Sequence, residues 1–292
     1  MPELPEVETV RKGLSKRLMN FEIRDVEVCR ERVIASPGGA NLFISMMKGN
    51  CIGNWERRGK YLIASLYKKD IDSPKQSKLG IKNSGWWGVH LRMTGYFQWH
   101  PSGSKPCPHT RVRFWNKEGF ELRFVDIRSF GQMWWVPPNQ SPESIISGLS
   151  NLGPEPFSKE FNYLYIQKEL KGKKKAIKSA LLDQSLVAGT GNIYADESLY
   201  MAGILPTKPA GNLTTLEYKK LCSNLIKVLK ISIGEGGTTF SDFRNLEGVN
   251  GNYGGQAWVY RRNNQPCRKC GTKIIREKLS GRSTHWCPNC QN

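Results

Sequence analysis

Four cysteines near the C-terminus constrain the fold more than any other feature of this chain. They form two Cys-x2-Cys pairs, Cys267 with Cys270 and Cys287 with Cys290, and sixteen residues separate the pairs. This spacing is typical of a zinc site in which four thiolates close the tetrahedron and leave no open position for chemistry. We therefore predict one structural Zn2+ ion, which holds a small hairpin whose own core is too small to fold alone.

The alternative for these cysteines is a pair of disulfides. The other four cysteines are scattered without a pattern, at Cys29, Cys51, Cys107 and Cys222. The N-terminus is acidic, whereas a signal peptide begins with basic residues followed by an apolar segment. Scattered single cysteines beside two Cys-x2-Cys pairs are typical of a protein in a reducing compartment. We therefore expect a cytoplasmic protein that binds a metal through its paired cysteines.

The charge balance indicates the class of partner. The chain has 44 Lys and Arg against 25 Asp and Glu, which gives a formal charge of +19 over 292 residues. Such an excess favours a polyanion, and nucleic acid before an anionic membrane. No apolar run approaches the roughly 18 residues that span a bilayer. We therefore expect a nucleic-acid partner and no membrane.

The N-terminal sequence Met1-Pro2-Glu3-Leu4-Pro5-Glu6-Val7-Glu8 has two interpretations. In the first, removal of Met1 frees the Pro2 amine, which attacks a sugar carbon and forms a cationic iminium while Glu3 moves protons. In the second, Pro5 and the acidic residues begin an ordinary helix. An apolar stripe then recurs at spacings of three and four, at Leu4, Val7, Val10, Leu14 and Leu18. The residues alone leave both interpretations open.

Short strands dominate the first half of the chain and helices the second. β-Branched and aromatic runs such as 61–66 and 111–115 predict strands, and the polar stretch 69–86 predicts a hairpin loop. Residues 137–160 are rich in Pro, Ser, Asn and Gly, which predicts a linker. Helical periodicity follows at 163–170, 176–182, 193–202 and 215–233. Between the zinc cysteines, 273–279 and 283–286 predict strands joined by a turn at 280–282.

Several candidate functional residues also have ordinary structural explanations. Lys60 follows two arginines at a strand end, where cations are usually solvated. Met93 lies in a β pattern, where methionine is usually core filler. His109 is a lone histidine, and Lys173 lies in a lysine run that could be a solvated face. The glycines before Asn192 allow another group to approach the backbone closely. The helix that starts at Asn192 would offer free N–H groups to a phosphate.

Taken together, the motifs resemble formamidopyrimidine-DNA glycosylase, the bacterial family that excises oxidised purines, and the related endonuclease VIII. The resemblance extends from Pro2 to Cys290 with the motifs in the family's order. They are Pro2-Glu3-Leu4-Pro5-Glu6-Val7-Glu8-Thr9, His90-Leu91-Arg92-Met93-Thr94-Gly95, Asp126-Ile127-Arg128-Ser129-Phe130-Gly131, Gly189-Thr190-Gly191-Asn192-Ile193-Tyr194-Ala195-Asp196-Glu197 and the zinc cysteines. The chain departs from many relatives at Ser129, where they have a second Arg that contacts phosphate.

The resemblance implies a role for each candidate. The catalytic residues would be Pro2, Glu3, Lys60 and Arg282. Other side chains would contact DNA, and some of them would fill the gap left by an extruded base: Met93, Arg128, Phe130, His109, Lys173 and Asn192. The Gly-rich stretch 236–256, which by composition predicts a flexible linker, would close over the extruded purine.

The resemblance also implies an α+β fold. A β-sandwich-like catalytic domain with an N-terminal helix would occupy residues 1–136, followed by the linker at 137–160. A helical DNA-binding domain with a helix–two-turns–helix element would occupy 161–247. The lesion loop and the zinc finger, at about 258–292, would lie within 248–292. We expect a monomer.

The implied function is a bifunctional glycosylase and lyase. It would remove 8-oxoguanine and formamidopyrimidines from duplex DNA and nick the strand by β,δ-elimination through a Pro2 Schiff base. Two alternatives remain open: an endonuclease VIII-like enzyme for oxidised pyrimidines, and a non-enzymatic zinc-containing nucleic-acid-binding protein. Pro2, Glu3 and Lys60 would serve only an enzyme.

Overall fold

The computed structural model describes residues 1–69, 81–238 and 251–292, and the chain divides into two compact units. The first unit is built mainly from residues 6–150, and the second from residues 3–5, 151–238 and 252–292. The boundary after Ser150 falls inside the segment 137–160 that the sequence indicates as a linker. The finer division of the chain into domains stays a prediction.

The first unit combines helices with two antiparallel sheets. Its helices are α1 (Leu4–Leu18, whose first residues belong to the second unit), α2 (Gly39–Met47), α3 (Pro142–Ile145) and α4 (Ser147–Ser150). Its strands are β1 (Asp25–Val28), β2 (Cys51–Arg58), β3 (Tyr61–Lys69), β4 (Ile81–His90), β5 (Gly95–Pro101), β6 (Thr110–Trp115), β7 (Phe120–Asp126) and β8 (Gln132–Val136). The strand orders are β2-β3-β4-β8 and β1-β6-β7-β5.

The two sheets share one aromatic core, which confirms the predicted sandwich. The Trp87 ring of β4 lies 6.0 Å from Phe97 of β5 and 4.6 Å from Phe114 of β6. Along β6 the side chains alternate between buried and half-buried, as expected for a strand with one face on the core. The apolar stripe of α1 is also confirmed, since its five residues are at most 2% exposed.

The predicted loop at 69–86 is too long at its C-terminal end. β3 continues to Lys69 and pairs with β4, which begins at Ile81. Ladder hydrogen bonds between the two strands therefore order residues that the polar composition assigned to a loop. Residues 70–80 of that loop lie outside the described residues, as do residues 239–250 of the predicted lesion loop.

The second unit is helical and ends in a hairpin. Its elements are α5 (Tyr163–Leu170), α6 (Ile177–Leu181), α7 (Asn192–Ala202), α8 (Thr215–Gly234), α9 (Tyr253–Gln256), β9 (Ile275–Leu279) and β10 (Arg282–Trp286). The four helices predicted from periodicity are confirmed to within a residue at each end. None of the helices in the described ranges has the length and apolarity that a membrane crossing needs.

The turn of the hairpin differs by one residue from the prediction. Ser280 and Gly281 both have positive φ, 46° and 79°, as a two-residue type I′ turn requires. Arg282 is therefore the first residue of β10, paired with Leu279, and is not part of the turn.

Candidate active site and zinc centre

Three of the predicted DNA-contact side chains lie together on the first unit. A guanidinium N–H of Arg128 donates to Met93 Sδ at 2.9 Å, and the guanidinium lies 4.7 Å from the centroid of the Phe130 ring. Met93 and Phe130 are each 41% exposed, so Met93 is not core filler. Two exposed apolar side chains with a cation between them are suited to enter a base stack.

A buried carboxylate shapes the loop that carries Arg128 and Phe130. Asp126 is fully buried and accepts the N–H of Gly131 at 2.7 Å, the N–H of Arg128 at 3.2 Å and the hydroxyl of Thr94. These bonds hold Ser129 in the left-handed region at φ 53°. The sequence reasoning gave Asp126 no role, although an Asp at the end of a strand can accept the N–H of the residue two positions on and so is a signal for such a loop.

His109 lies beside this loop and is exposed. Its carbonyl oxygen accepts the Asp126 N–H at 2.9 Å, and its Nδ1 lies 3.2 Å from the Arg111 guanidinium. The structure therefore brings His109, Met93, Arg128 and Phe130 to one part of the first unit.

Lys60 lies in the turn between β2 and β3 and is only 7% exposed. This burial rules out a solvated strand end. The turn is held by Arg57, which donates to Glu8 at 3.1 Å and to the Gly59 carbonyl at 3.1 Å. Burial acts to raise the pKa of Glu8, but Arg11 and Arg57 outweigh it, so the pKa is lowered. Lys60 is therefore a buried cation in this turn.

His90 is a buried histidine near Lys60, and we predict that it makes the protein acid-sensitive. Its Nδ1 accepts the Arg92 N–H at 2.9 Å. Burial, together with the charges of Arg92 and Lys60, lowers its pKa from 6.5 to about 3. Between these values only the unfolded chain binds the proton, so stability falls as the pH falls. The expected loss from this group between pH 7.5 and 5.0 is about 2 kcal/mol.

The measurement is urea unfolding of wild type and His90→Gln at both pH values. Glutamine offers an acceptor for the Arg92 N–H but does not titrate, so the variant should lose less stability on acidification. Equal losses in the two proteins would contradict the prediction.

In the second unit, Glu3 occupies the start of helix α7. Its carboxylate accepts the N–H of Ile193 at 3.1 Å and that of Tyr194 at 3.4 Å, and the residue is 3% exposed. The expectation that this helix offers free N–H groups to a phosphate is therefore wrong for these two groups. A carboxylate is stabilised at the positive end of the helix dipole, so Glu3 takes the place of the expected anion.

Two glycines make room for the N-terminal residues. A Cβ on Gly191 would lie 2.2 Å from Glu3 Cδ, and a Cβ on Gly189 would lie 2.7 Å from Leu4 Cδ1. The Leu4 N–H also donates to the Gly189 carbonyl at 3.1 Å. The glycines thus allow close approach of the protein's own N-terminal segment. Pro2, which precedes Glu3, is buried, whereas Met1 is 49% exposed.

A buried charged network fixes the start of β10. Lys178 Nζ lies 2.7 Å from an Asp196 carboxylate oxygen, and the other oxygen of Asp196 accepts the His285 N–H at 2.9 Å. Burial lowers the pKa of Lys178, and the charge of Asp196 opposes that shift. The sequence reasoning missed Lys178 and Asp196. A lysine within the apolar stretch 176–182 was the available signal.

The same network reaches the residue next to Arg282. The carbonyl oxygen of Ser283 accepts from Lys178 Nζ at 2.7 Å and from the Asn192 side-chain amide at 2.9 Å. Arg282 itself is exposed. Two donors therefore fix the backbone beside Arg282, whose side chain is exposed. Lys173 is also exposed, in the turn between α5 and α6.

The four zinc cysteines converge at the base of the hairpin. Their four sulfurs all lie within 4.8 Å of one another, with Cys267 Sγ 3.9 Å from Cys290 Sγ and Cys270 Sγ 3.4 Å from Cys287 Sγ. Four thiolates at Zn–S distances of about 2.3 Å lie about 3.8 Å apart in a tetrahedron. These cysteines are free thiols rather than disulfides, so the donor set fits one Zn2+ ion.

We expect that removal of zinc impairs the strand cleavage that the family resemblance implies. In the part of the chain that the structure describes, the buried apolar cluster around the hairpin consists of Tyr200, Val259, Cys267, Ile274 and Cys287, and two of these five are zinc ligands. Because this core is so small, we expect that the metal is needed to hold the hairpin and Arg282 in place. Treatment with a chelator, or Cys287→Ser, should remove the bound zinc and lower incision by roughly ten- to a hundredfold. Cys107→Ser changes an exposed cysteine outside the site and serves as the control. Full activity of a zinc-free protein would contradict this expectation.

Comparison with known proteins gives the same assignment along the whole chain. Residues 1–133 match the formamidopyrimidine-DNA glycosylase N-terminal domain, residues 152–244 its H2TH domain, and residues 264–292 the zinc finger found in FPG and IleRS. The chain is 66% identical over 291 residues to the formamidopyrimidine-DNA glycosylase of Prochlorococcus marinus strain MIT 9313, with 100% of both sequences covered.

Solved structures agree. A complex of a mutant Lactococcus lactis FPG with Fapy-dG containing DNA matches with a TM-score of 0.87, 31% identity and full coverage of both chains. A structure of MutM with DNA that contains carbocyclic 8-oxo-G matches equally, with a TM-score of 0.87, 31% identity and full coverage. The chain therefore belongs to the formamidopyrimidine-DNA glycosylase family.

Proposed function

We propose that this chain, a DNA glycosylase of base excision repair, removes oxidised purines from duplex DNA and cuts the strand with Pro2 as its nucleophile. The observation that carries the proposal is the placement of Glu3, which directly follows Pro2 and is held by two N–H groups of α7. The family relatives bound to Fapy-dG and 8-oxo-G DNA support the choice of lesion.

The first chemical step replaces the base by the protein. After removal of Met1, the Pro2 nitrogen attacks C1′ of the deoxyribose. At the same time the bond from C1′ to the base breaks, and the base leaves with the electron pair of that bond and a proton. Glu3 moves protons between the departing groups and the sugar. Opening of the sugar ring gives an iminium ion between Pro2 and C1′, and the positive charge of this ion acidifies the C2′ hydrogen.

Two eliminations follow. Loss of the C2′ proton breaks the C3′–O bond and releases one strand with a 5′-phosphate. A second elimination breaks the C5′–O bond and releases the other strand with a 3′-phosphate. Water then hydrolyses the iminium, which frees Pro2 and the sugar fragment, so the two strand ends flank a one-nucleotide gap. We assign Lys60 and Arg282 to assist these steps. Arg282 suits a phosphate contact because it is exposed and its neighbour Ser283 is fixed by Lys178 and Asn192.

The exposed cluster of Met93, Arg128 and Phe130 is assigned to the extrusion of the lesion. Removal of a base from the stack leaves a hole, which apolar side chains fill while an arginine faces the orphan base. His109, Lys173 and Asn192 are assigned to the DNA backbone. The formal charge of +19 supports binding to duplex DNA that weakens with salt.

The decisive experiment traps the covalent intermediate. The protein is mixed with an 8-oxoguanine duplex and borohydride, and the adduct is mapped by peptide mass spectrometry. An adduct on Pro2 is expected, and Pro2→Gly should bind the duplex but yield far less adduct and product. A protein with a free N-terminus that binds the duplex but gives no adduct and no cleavage would be a binding module.

Side-by-side cleavage of 8-oxoguanine and thymine glycol duplexes tests the lesion class. We expect faster cleavage of the 8-oxoguanine duplex. A clear preference for thymine glycol would instead establish an endonuclease VIII-like activity. We also infer that the protein works in the cytoplasm, because its zinc thiolates need reducing conditions. The family resemblance further implies a monomer.

A further inference from the structure

A pocket in the second unit has no part in the chemistry above. Its volume is about 590 Å3, and it is lined by residues of α7, α8 and the zinc finger, including Tyr200, Met201, Trp258, Lys220, Arg268 and Lys269. Pockets of this size that combine apolar walls with a few polar groups are typical of small-molecule sites.

The aromatic wall of the pocket is held rigidly. The Trp258 ring stacks on Tyr200 with 5.7 Å between centroids and an interplanar angle of 23°. The backbone N–H of Trp258 donates to the buried Glu197 carboxylate at 2.8 Å, and the Tyr200 hydroxyl lies 3.2 Å from Cys267 Sγ. Trp258 is only half-buried, so it provides a preformed surface on which a flat ring can pack.

The polar part of the pocket is cationic. Lys220 and Lys269 are exposed, and in the described part of the chain neither forms an ion pair with a carboxylate. The Arg268 guanidinium donates to the carbonyls of Gly255 and Gln256 at 2.8 and 2.9 Å, which fixes its position without neutralising its charge. Three positive charges around an aromatic wall favour an anion that carries an aromatic ring.

The pocket is separate from the residues assigned to DNA. Ala202 and Gly203 line it at the C-terminal end of α7, whereas Asn192 begins that helix. A helix rises about 1.5 Å per residue, so the two ends of α7 are about 15 Å apart. Cys290 of the pocket lies at the base of the zinc finger, whereas Arg282 lies at the tip of its hairpin. The pocket therefore lies apart from Asn192 and Arg282, the two residues of this unit's α7 and hairpin that are assigned to DNA.

We propose that this pocket binds a nucleoside phosphate, with the base on Trp258 and the phosphate among Lys220, Arg268 and Lys269. Stacking on aromatic side chains accepts any base, and lysine and arginine supply the charge that a phosphate needs. The ligand has two sources, a free nucleotide or the terminal nucleotide of a single strand. The second source would give the enzyme a contact with DNA outside the lesion site.

The test is calorimetric titration of the zinc-loaded protein with GMP, with a 5′-phosphorylated trinucleotide and with inorganic phosphate. GMP or the trinucleotide should bind with a Kd below about 1 mM, and phosphate alone should bind more weakly. Tighter binding of the trinucleotide than of GMP identifies a strand end as the ligand, and the reverse order identifies a free nucleotide. Absence of binding by both, or equally tight binding of phosphate alone, would overturn the proposal.

Variants locate the binding. Lys220→Glu and Trp258→Leu should each weaken binding about tenfold or more, whereas Lys227→Glu, an exposed lysine of α8 outside the pocket, should match wild type within about twofold. Zinc content is measured for each variant. Because Lys220 is exposed, Lys220→Glu tests the pocket even if Trp258→Leu misfolds. Nucleotide binding by Lys220→Glu that equals wild type would overturn the proposal, whatever the outcome for excision.

Discussion

Gly191→Ala is expected to slow base excision by roughly a hundredfold while the protein remains folded, because small displacements of catalytic groups have effects of this size. The new Cβ would lie 2.2 Å from Glu3 Cδ and 2.5 Å from Glu3 Oε1. Alanine fits the backbone at this position, since φ is −134°. The clash therefore falls on Glu3, which has to leave the N–H groups of Ile193 and Tyr194.

The measurement is single-turnover excision from an 8-oxoguanine duplex, with circular dichroism and thermal unfolding as checks on the fold. Gly234→Ala is the matched control, because it adds the same methyl at the end of α8, where no atom of the described residues lies within 4 Å apart from its chain neighbours and its own helix backbone. Unchanged excision by Gly191→Ala would show that the position of Glu3 does not matter.

A double variant separates the proposed cause from a general disturbance. Glu3→Ala removes the side chain that the new methyl would strike. In that background, Gly191→Ala should have little further effect, so the two substitutions should be strongly non-additive. Additive losses would mean that Gly191 acts through something other than Glu3.

Lys178→Met is expected to lower the free energy of unfolding by about 3–5 kcal/mol, the range for removal of one partner from a buried ion pair. Lys178 is 1% exposed and Asp196 is fully buried. The substitution leaves the Asp196 carboxylate without its cation, 2.7 Å from where the ammonium was. It also removes one of the two donors to the Ser283 carbonyl, so incision should fall through the displacement of Arg282.

Denaturant unfolding at pH 7.5 measures the effect. Lys175→Met removes an exposed pair with Asp183, whose side chains are 42% and 40% exposed, and serves as the control. Exposed pairs contribute little, so the control should change stability by less than about 1 kcal/mol. If the cost comes from the unpaired carboxylate, Lys178→Met with Asp196→Asn should recover most of the loss. A loss for Lys178→Met as small as that of the control would contradict the prediction.

The Gly191→Ala prediction depends on one contact of the N-terminal segment. Glu3 caps the helix that begins with Asn192. Helix α1 thus starts with residues of the second unit and continues in the first. The Glu3 carboxylate is bound by the N–H groups of Ile193 and Tyr194, which the sequence suggested as donors to a phosphate.

The sequence by itself determined the features that depend on local spacing. The two Cys-x2-Cys pairs gave the ligand set of the zinc centre, and the 3.6-residue period gave helices α5 to α8 of the second unit and the buried stripe of α1. Such signals are readable because every residue in them is a near neighbour along the chain. The family's motifs added the candidate catalytic residues, whose individual roles remain proposals.

Only the tertiary structure decided which distant residues meet. Glu3 reaches the N–H of Ile193 across 190 positions of sequence, and the Lys178 ammonium reaches the hydroxyl of Thr284 across 106. The network of Asp126 and the pocket beside the zinc finger arise in the same way. A contact between residues so far apart leaves no periodicity or spacing in the sequence, because burial and hydrogen bonding are set by the packing of whole elements.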